Sequence, residues 1–113
     1  MKTDNAIAQM KKGVLEMCIL SIINQEAAYP SDIIQKLRAS ELIVVEGTLY
    51  PILSRLKNSS YLEYHWKESQ AGPPRKYFTV TESGKQALMV MLESWDHFVN
   101  CVNQSIQNKS ENE

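Results

Sequence analysis

A change of rhythm near the middle of the chain constrains its fold more than any other feature. Leu49, Ile52, Leu53 and Leu56 recur at i, i+3, i+4 and i+7, the spacing of a helix buried along one face. After Asn58-Ser59-Ser60 the period falls to two. Tyr61-Leu62-Glu63-Tyr64-His65-Trp66-Lys67-Glu68 reads as one strand and Lys76-Tyr77-Phe78-Thr79-Val80 as another. The turn-rich run Ser69-Gln70-Ala71-Gly72-Pro73-Pro74-Arg75 separates them, so the pair reads as a β-hairpin with a stiff tip.

On the helix over 46–58, Gly47, Tyr50, Pro51, Ser54 and Asn58 lie opposite the leucines, flanked by Thr48, Arg55 and Lys57. After Glu46 this side carries no carboxylate. It offers hydroxyls, an aromatic ring, an amide and two cations, groups that donate to phosphates and base edges of nucleic acid. An ordinary solvated helix face is the bland alternative. Pro51 lacks an N–H and removes one early helical bond, which predicts a short or slightly irregular first turn.

Two helices precede this one. From about Asp4 to Asn24, Ile7, Met10, Val14, Met17, Cys18, Leu20 and Ile22 repeat at helical spacing. From Val14 to Ile23 the helix is apolar almost all round, as expected of the spine of a core. Gly13 weakens it by about 1 kcal/mol relative to alanine. Ile7 and Met10 are too apolar for an end that touches nothing, and predict a cover from another element or subunit. After the turn from Gln25 to Tyr29, Pro30 opens a second helix with Ser31 and Asp32 in its first turn. Ile33, Ile34 and Leu37 form its buried face, and it ends near Ser40. Leu42-Ile43-Val44-Val45 reads as an extended connector. Two short helices so joined, the second with a polar face, form a helix-turn-helix. The hairpin behind them is then a wing whose tip cations, Arg75 and Lys76, can reach phosphates or a minor groove.

Composition narrows the class. An apolar fraction of 43% in 113 residues suits one globular domain plus an extension. No run approaches the ~18 apolar residues of a spanning helix. Met1-Lys2-Thr3-Asp4-Asn5 lacks a signal-peptide pattern, so a cytoplasmic protein without a membrane partner is expected. Cys18 and Cys101 fall in separate helices and predict two free thiols. The net charge is −1, short of the basic balance of a typical DNA binder. Its distribution is uneven: residues 1–80 hold ten Lys/Arg against eight Asp/Glu, and residues 81–113 two against five. A DNA contact through Arg55, Lys57, Arg75 and Lys76 should therefore be modest and steeply salt-dependent.

In the last segment Thr81 is a suitable N-cap and Glu82 suits the first helical position. Leu88, Met91, Leu92, Trp95, Phe98, Val99, Val102 and Ile106 follow with a heptad rhythm. So many large apolar groups exceed what a small winged domain can cover. A two-fold dimer is expected, with Ile7, Met10, Leu88, Met91, Leu92, Trp95, Phe98, Val99 and Val102 at its interface. It would hold two copies of the helix over 46–58 about 34 Å apart over a pseudo-palindromic site. Residues 108–113 are polar and expected to fray.

The run Gly47-Thr48-Leu49-Tyr50-Pro51, then Leu53 and Arg55-Leu56, resembles the PadR family of bacterial transcriptional regulators. So do Gly72 with Pro74-Arg75-Lys76-Tyr77-Phe78, and Thr81-Glu82-Ser83-Gly84. Upstream, Gly13-Val14-Leu15-Glu16 is similar to the start of that family's first core helix, and the resemblance spans roughly residues 13–95. It implies a dimeric repressor with a winged helix-turn-helix (residues 1–80) and a C-terminal dimerisation helix (residues 81–107). Carried over by position, Thr48, Tyr50 and Pro51 begin the recognition helix, and Arg75 and Lys76 are the wing's basic residues. This chain has Tyr29-Pro30-Ser31 where Tyr-Gly-Tyr is usual, and Ser59-Ser60 where a glycine usually ends the recognition helix. Ala71 and Pro73 stand in a wing tip usually richer in glycine and arginine, so weaker non-specific affinity is expected.

The expected fold is mostly α with a small β-hairpin: a winged helix-turn-helix plus a long C-terminal dimerisation helix. The expected function is sequence-specific binding of double-stranded DNA by a homodimeric repressor. Its contacts would come from Ser31, Thr48, Tyr50, Pro51, Ser54, Arg55, Lys57, Arg75 and Lys76. Trp95, with Phe98 and Met91, has two readings. It is plain interface packing, or a platform that stacks a planar apolar or cationic effector. The second agrees with the release of some members of the resembling family from DNA by phenolic or drug-like compounds. His97 and Cys101 lie at i, i+4 beside Asp96, a metal-ligand spacing that supplies only two ligands per chain; no metal or cofactor is expected. Neither histidine stands in a catalytic pattern and no glycine motif cradles a phosphate, so an enzyme is not expected. The alternative function is a winged-helix protein-interaction module that does not bind DNA.

Overall fold

The computed structural model describes residues 3–69 and 71–107. Among them lie α1 (Thr3–Gln25), α2 (Pro30–Ala39), α3 (Glu46–Asn58), β1 (Leu62–Ser69), β2 (Gly72–Val80) and α4 (Glu82–Ile106). This is the expected mostly helical fold with one antiparallel hairpin. The polar tail expected to fray, residues 108–113, lies outside the described residues.

Helix α1 is the spine. It buries Leu15, Ile19, Leu20 and Ile23 and packs against α2, α3, α4 and β2. A helix that is apolar on several sides needs neighbours on several sides. Residues 3–13 of the same helix are all exposed, so among the described residues nothing buries Ile7 or Met10.

Both helices of the helix-turn-helix end alike. Glu41 and Ser60 adopt positive φ values of 63° and 65°. Behind each, an amide reaches back five residues: Leu42 N–H donates to the Leu37 carbonyl and Tyr61 N–H to the Leu56 carbonyl, both at 2.9 Å. These are Schellman caps, in which the left-handed position is usually glycine. Ser60 thus occupies the conformation for which a glycine is usual. At the start of α2 the Tyr29 N–H donates to the Asp32 carboxylate at 3.0 Å, and Ile33 and Leu37 turn inward.

Helix α3 buries Leu49, Ile52, Leu53 and Leu56, the four residues its spacing singles out. It runs unbroken through Pro51, so the irregular first turn expected there is absent. The bond that proline removes would have gone to Gly47, still in the first turn and solvent-exposed, where water can serve the carbonyl.

The hairpin departs further from expectation. Strand β2 begins at Gly72 rather than Lys76 and pairs from Leu62↔Val80 out to Lys67↔Arg75 and Ser69↔Gly72. Pro73 and Pro74 sit within it because both strands of a two-stranded ribbon are edges, where a missing N–H is tolerated. At its base, Ala28 and Phe78 exchange two backbone bonds of 3.1 and 2.9 Å, which ties β2 to the segment before α2.

Helix α4 is anchored by its first turn. The Thr81 hydroxyl accepts from Gly84 N–H at 3.0 Å. Thr81 and Ser83 hydroxyls donate to the Ser60 carbonyl at 2.6 and 2.9 Å. A Cβ at Gly84 would collide with the Tyr61 carbonyl oxygen and lie 2.8 Å from Val80 Cγ1. Leu88, one turn on, is 4% exposed and completes the protomer's own core. It is therefore not an interface residue, a correction to the heptad reading: α4 leaves the core only after this turn. Met91 is partly buried against the same core. The two long helices then extend the molecule to 64 × 35 × 22 Å, with a radius of gyration of 17.0 Å, against ~13 Å for a compact domain of this size. Cys18 and Cys101 are free thiols, and burial pushes the Cys18 thiol up. Among the described residues no helix is long and apolar enough to cross a membrane.

Candidate nucleic-acid interface

The outward side of α3 has two flanks with different neighbours. Thr48 and Arg55 face α1. The Nε and Nη2 atoms of Arg55 both lie 2.7 Å from Oε1 of Glu16, which fastens α3 to α1. Thr48 borders a hollow of about 410 Å³ that includes Ile7, Lys11, Leu15 and the connector residues Leu42 to Val45. Between the flanks Pro51 and Ser54 are exposed.

Tyr50 faces the wing. With Glu46 it forms one wall of a groove of about 430 Å³, whose other walls are Pro30, Ser31, Trp66, Pro74, Arg75 and Lys76. Three separate stretches of sequence therefore converge here: the start of α2, the first half of α3 and the middle of the hairpin.

The cations around this groove are held in place. Arg75 Nη2 donates to the Ser31 hydroxyl at 2.8 Å, and its guanidinium lies 3.9 Å from the Tyr29 ring centroid. Tyr29 in turn packs edge-on against Tyr77 at 5.2 Å. Arg75 is thus not at the wing tip, as its place in a presumed loop suggested. The longer β2 draws it back into the paired part of the hairpin, opposite Lys67. Lys76 lies 4.5 Å from the Tyr64 ring and 5.6 Å from that of Trp66. Lys57, at the end of α3, lies 5.5 Å from the same Tyr64 ring. Cation–π contacts of this kind orient a side chain without neutralising it.

A second groove, of about 670 Å³, lies between the exposed N-terminal half of α1 and the outer half of α4. Ile7, Met10, Val14, Trp95, Phe98, Val99 and Val102 line it. Met10 is 75% exposed, Phe98 67% and Val102 51%. Trp95 and Phe98 are brought together here; Met91 does not line this groove and is partly buried against the core. Leu92 and Trp95 border a further hollow with Met17, Cys18 and Ile22. On the far side of α4, Cys101 Sγ and His97 Nε2 lie 3.5 Å apart, and among the described residues no three His, Cys, Asp or Glu side chains gather as metal ligands.

Sequence reasoning passed over two residues of this region. Glu16 contacts Arg55 across 39 positions of sequence, which no local pattern signals. Trp66 lies in a recognised strand, but its exposure depends on where the core ends.

Comparison with known proteins gives this geometry a context. Residues 19–90 match the transcriptional regulator PadR-like family. A PadR-like transcription factor from Bacteroides fragilis is 52% identical, with a TM-score of 0.76, over 88% of this chain and 97% of that one. A PadR-like transcriptional regulator from Bacillus cereus is 39% identical, with a TM-score of 0.75, over 88% and 97%. A PadR family transcriptional regulator from Eggerthella lenta is 25% identical with a TM-score of 0.86, over 93% and 92%. The winged fold, the groove between α3 and the hairpin, and a family match over most of the chain lead to one assignment: this protein belongs to the PadR-like family of DNA-binding transcriptional regulators and is not an enzyme.

Proposed function

We propose that this regulator is a homodimeric, cytoplasmic repressor that reads a pseudo-palindromic operator. The observation that carries this reading is the convergence of Ser31, Tyr50, Arg75 and Lys76 on one groove between α2, α3 and the wing. Tyr50 and Ser54 are the base-edge candidates, with Thr48 and Pro51 beside them at the start of the recognition helix. Ser31, Lys57, Arg75 and Lys76 serve the phosphates, whose contacts position a protein without reading sequence. Arg55 has a different part. Its two bonds to Glu16 make it the strut that sets the angle of α3 against α1, so its effect on DNA runs through the pose of the helix.

Residues 1–80 would bind DNA and residues 81–107 would carry dimerisation, with Leu88 excepted. The α1/α4 groove supports the dimer, since its exposed methionine, aromatic and valine walls are costly to leave in water. A planar apolar effector stacked between Trp95 and Phe98 would act by repacking that groove. A gel shift with duplex from the protein's own upstream region, at low and moderate salt, tests the function. Specific retardation that Tyr50→Ala or Ser54→Ala redirects to other sequences is expected. Absence of any shift at low salt contradicts it.

A further inference from the structure

The hairpin has one face that begins in the core and continues beyond it. Side chains alternate along a strand, so Leu62, Tyr64 and Trp66 share a face, and the register places Val80, Phe78 and Lys76 opposite them. Leu62 and Phe78 are buried and Tyr64 is partly buried, but Trp66 is 62% exposed. This is also the face turned toward α3, because Lys57 at the end of α3 lies over Tyr64. The indole is therefore a large apolar surface at the side of the recognition helix, with no core to enter.

Its surroundings indicate what covers it. Trp66 borders the groove that contains Tyr50, Ser31, Arg75 and Lys76. It also borders a second hollow, of about 600 Å³, that contains Lys57, Ser60, Tyr64 and Glu63. Lys57, Arg75 and Lys76 outnumber the two carboxylates of these hollows, Glu46 and Glu63. Lys76 lies 5.6 Å from the indole itself. A wide apolar plate with one N–H donor, set among cations, complements a surface that alternates apolar and anionic groups. The sugar–phosphate chain of a duplex is such a surface, with a deoxyribose between successive phosphates.

We infer that Trp66 is a DNA-contacting residue of the wing, its indole packing on a deoxyribose of the strand that runs between the wing and α3, with Lys57 and Lys76 on the phosphates to either side. The inference rests on the DNA-binding reading above. Because the sugar is common to all nucleotides, the contact strengthens binding without selecting sequence. Because the indole is uncharged, it releases no counterion.

Anisotropy titrations of the full-length protein, with labelled upstream duplex and with a scrambled duplex, over 50–200 mM salt, test this. Trp66→Ala should bind both duplexes about tenfold more weakly, by the usual loss of an aromatic contact to nucleic acid, with the salt slope unchanged. Trp66→Phe should recover most of the loss. Lys76→Ala should instead flatten the slope by about 0.9. Duplex should also quench tryptophan emission of the wild type more than that of Trp66→Phe. Thermal melts of both variants confirm that the exposed wing position leaves the fold intact. If Trp66→Ala binds and Trp66→Phe quenches as the wild type does, while Tyr50→Ala alters operator binding, the indole contact is wrong and DNA binding stands. If Trp66→Ala weakens the operator alone, the indole reads a base and the sugar contact is wrong. If the wild type binds neither duplex, both readings fall.

Discussion

Two grooves of the molecule answer opposite physical demands. The one between α3 and the wing holds hydroxyls and cations beside the exposed indole of Trp66, and its cations already have partners: Arg75 on Ser31 and Tyr29, Lys76 on Tyr64. The one between α1 and α4 is walled by Met10, Phe98 and Val102, which stay half-exposed or more among the described residues. Polar groups can wait in water at little cost. Apolar ones cost about 25 cal/mol per Å² for as long as they stay uncovered. The first groove is thus suited to a ligand that comes and goes, the second to a partner that remains.

The largest test of that difference is to charge the second groove. Phe98→Glu with Val102→Glu should give folded monomers in sedimentation. Operator affinity should fall by about 10²- to 10⁴-fold, the usual gain from linking two binding events, while weak binding to any duplex persists. A double variant that remains a dimer would place the interface elsewhere.

Gly84→Ala tests the joint between the two regions. The added methyl meets the Tyr61 carbonyl, so α4 must shift from the α3–β1 junction. A loss of about 2–3 kcal/mol is expected, seen as a fall in Tm on the order of 10 °C.

Arg75→Ala acts on the first groove alone. Binding to operator and unrelated duplex should weaken together by about tenfold, with the salt slope smaller by about 0.9. Unchanged dimerisation in the same variant would show that the grooves act separately. The smallest effect is expected from Ser60→Gly, which relieves a left-handed residue at φ 65° and should add about 1 kcal/mol. Thermal melts should show a Tm gain of about 5 °C with no change in either groove.

How much of this was legible in the chain differs between the same two regions. The core face of α3 was explicit, because Leu49, Ile52, Leu53 and Leu56 follow helical spacing and all four are buried. The hairpin was recognisable from its alternation. Its length was not, since Pro73-Pro74 resembles a loop unless the strand is known to be an edge. That error set Arg75 at a tip, when it pairs with Lys67 in mid-hairpin and its bond to Ser31 holds it beside the start of α2. The rhythm of α4 was equally clear, but a heptad pattern does not say where a helix leaves its own core. Leu88 was therefore assigned to a seam while it fills the protomer. The Glu16–Arg55 pair and the exposure of Trp66 were illegible for one reason: each depends on a neighbour brought close only by folding.

The most direct measurement is the stoichiometry of the complex by analytical ultracentrifugation, with a labelled duplex carrying the upstream operator at micromolar protein. Two protomers per duplex, formed together and lost together when Phe98 and Val102 carry charges, is the predicted result. One protomer per duplex, or a free protein that sediments as a monomer at that concentration, would contradict it.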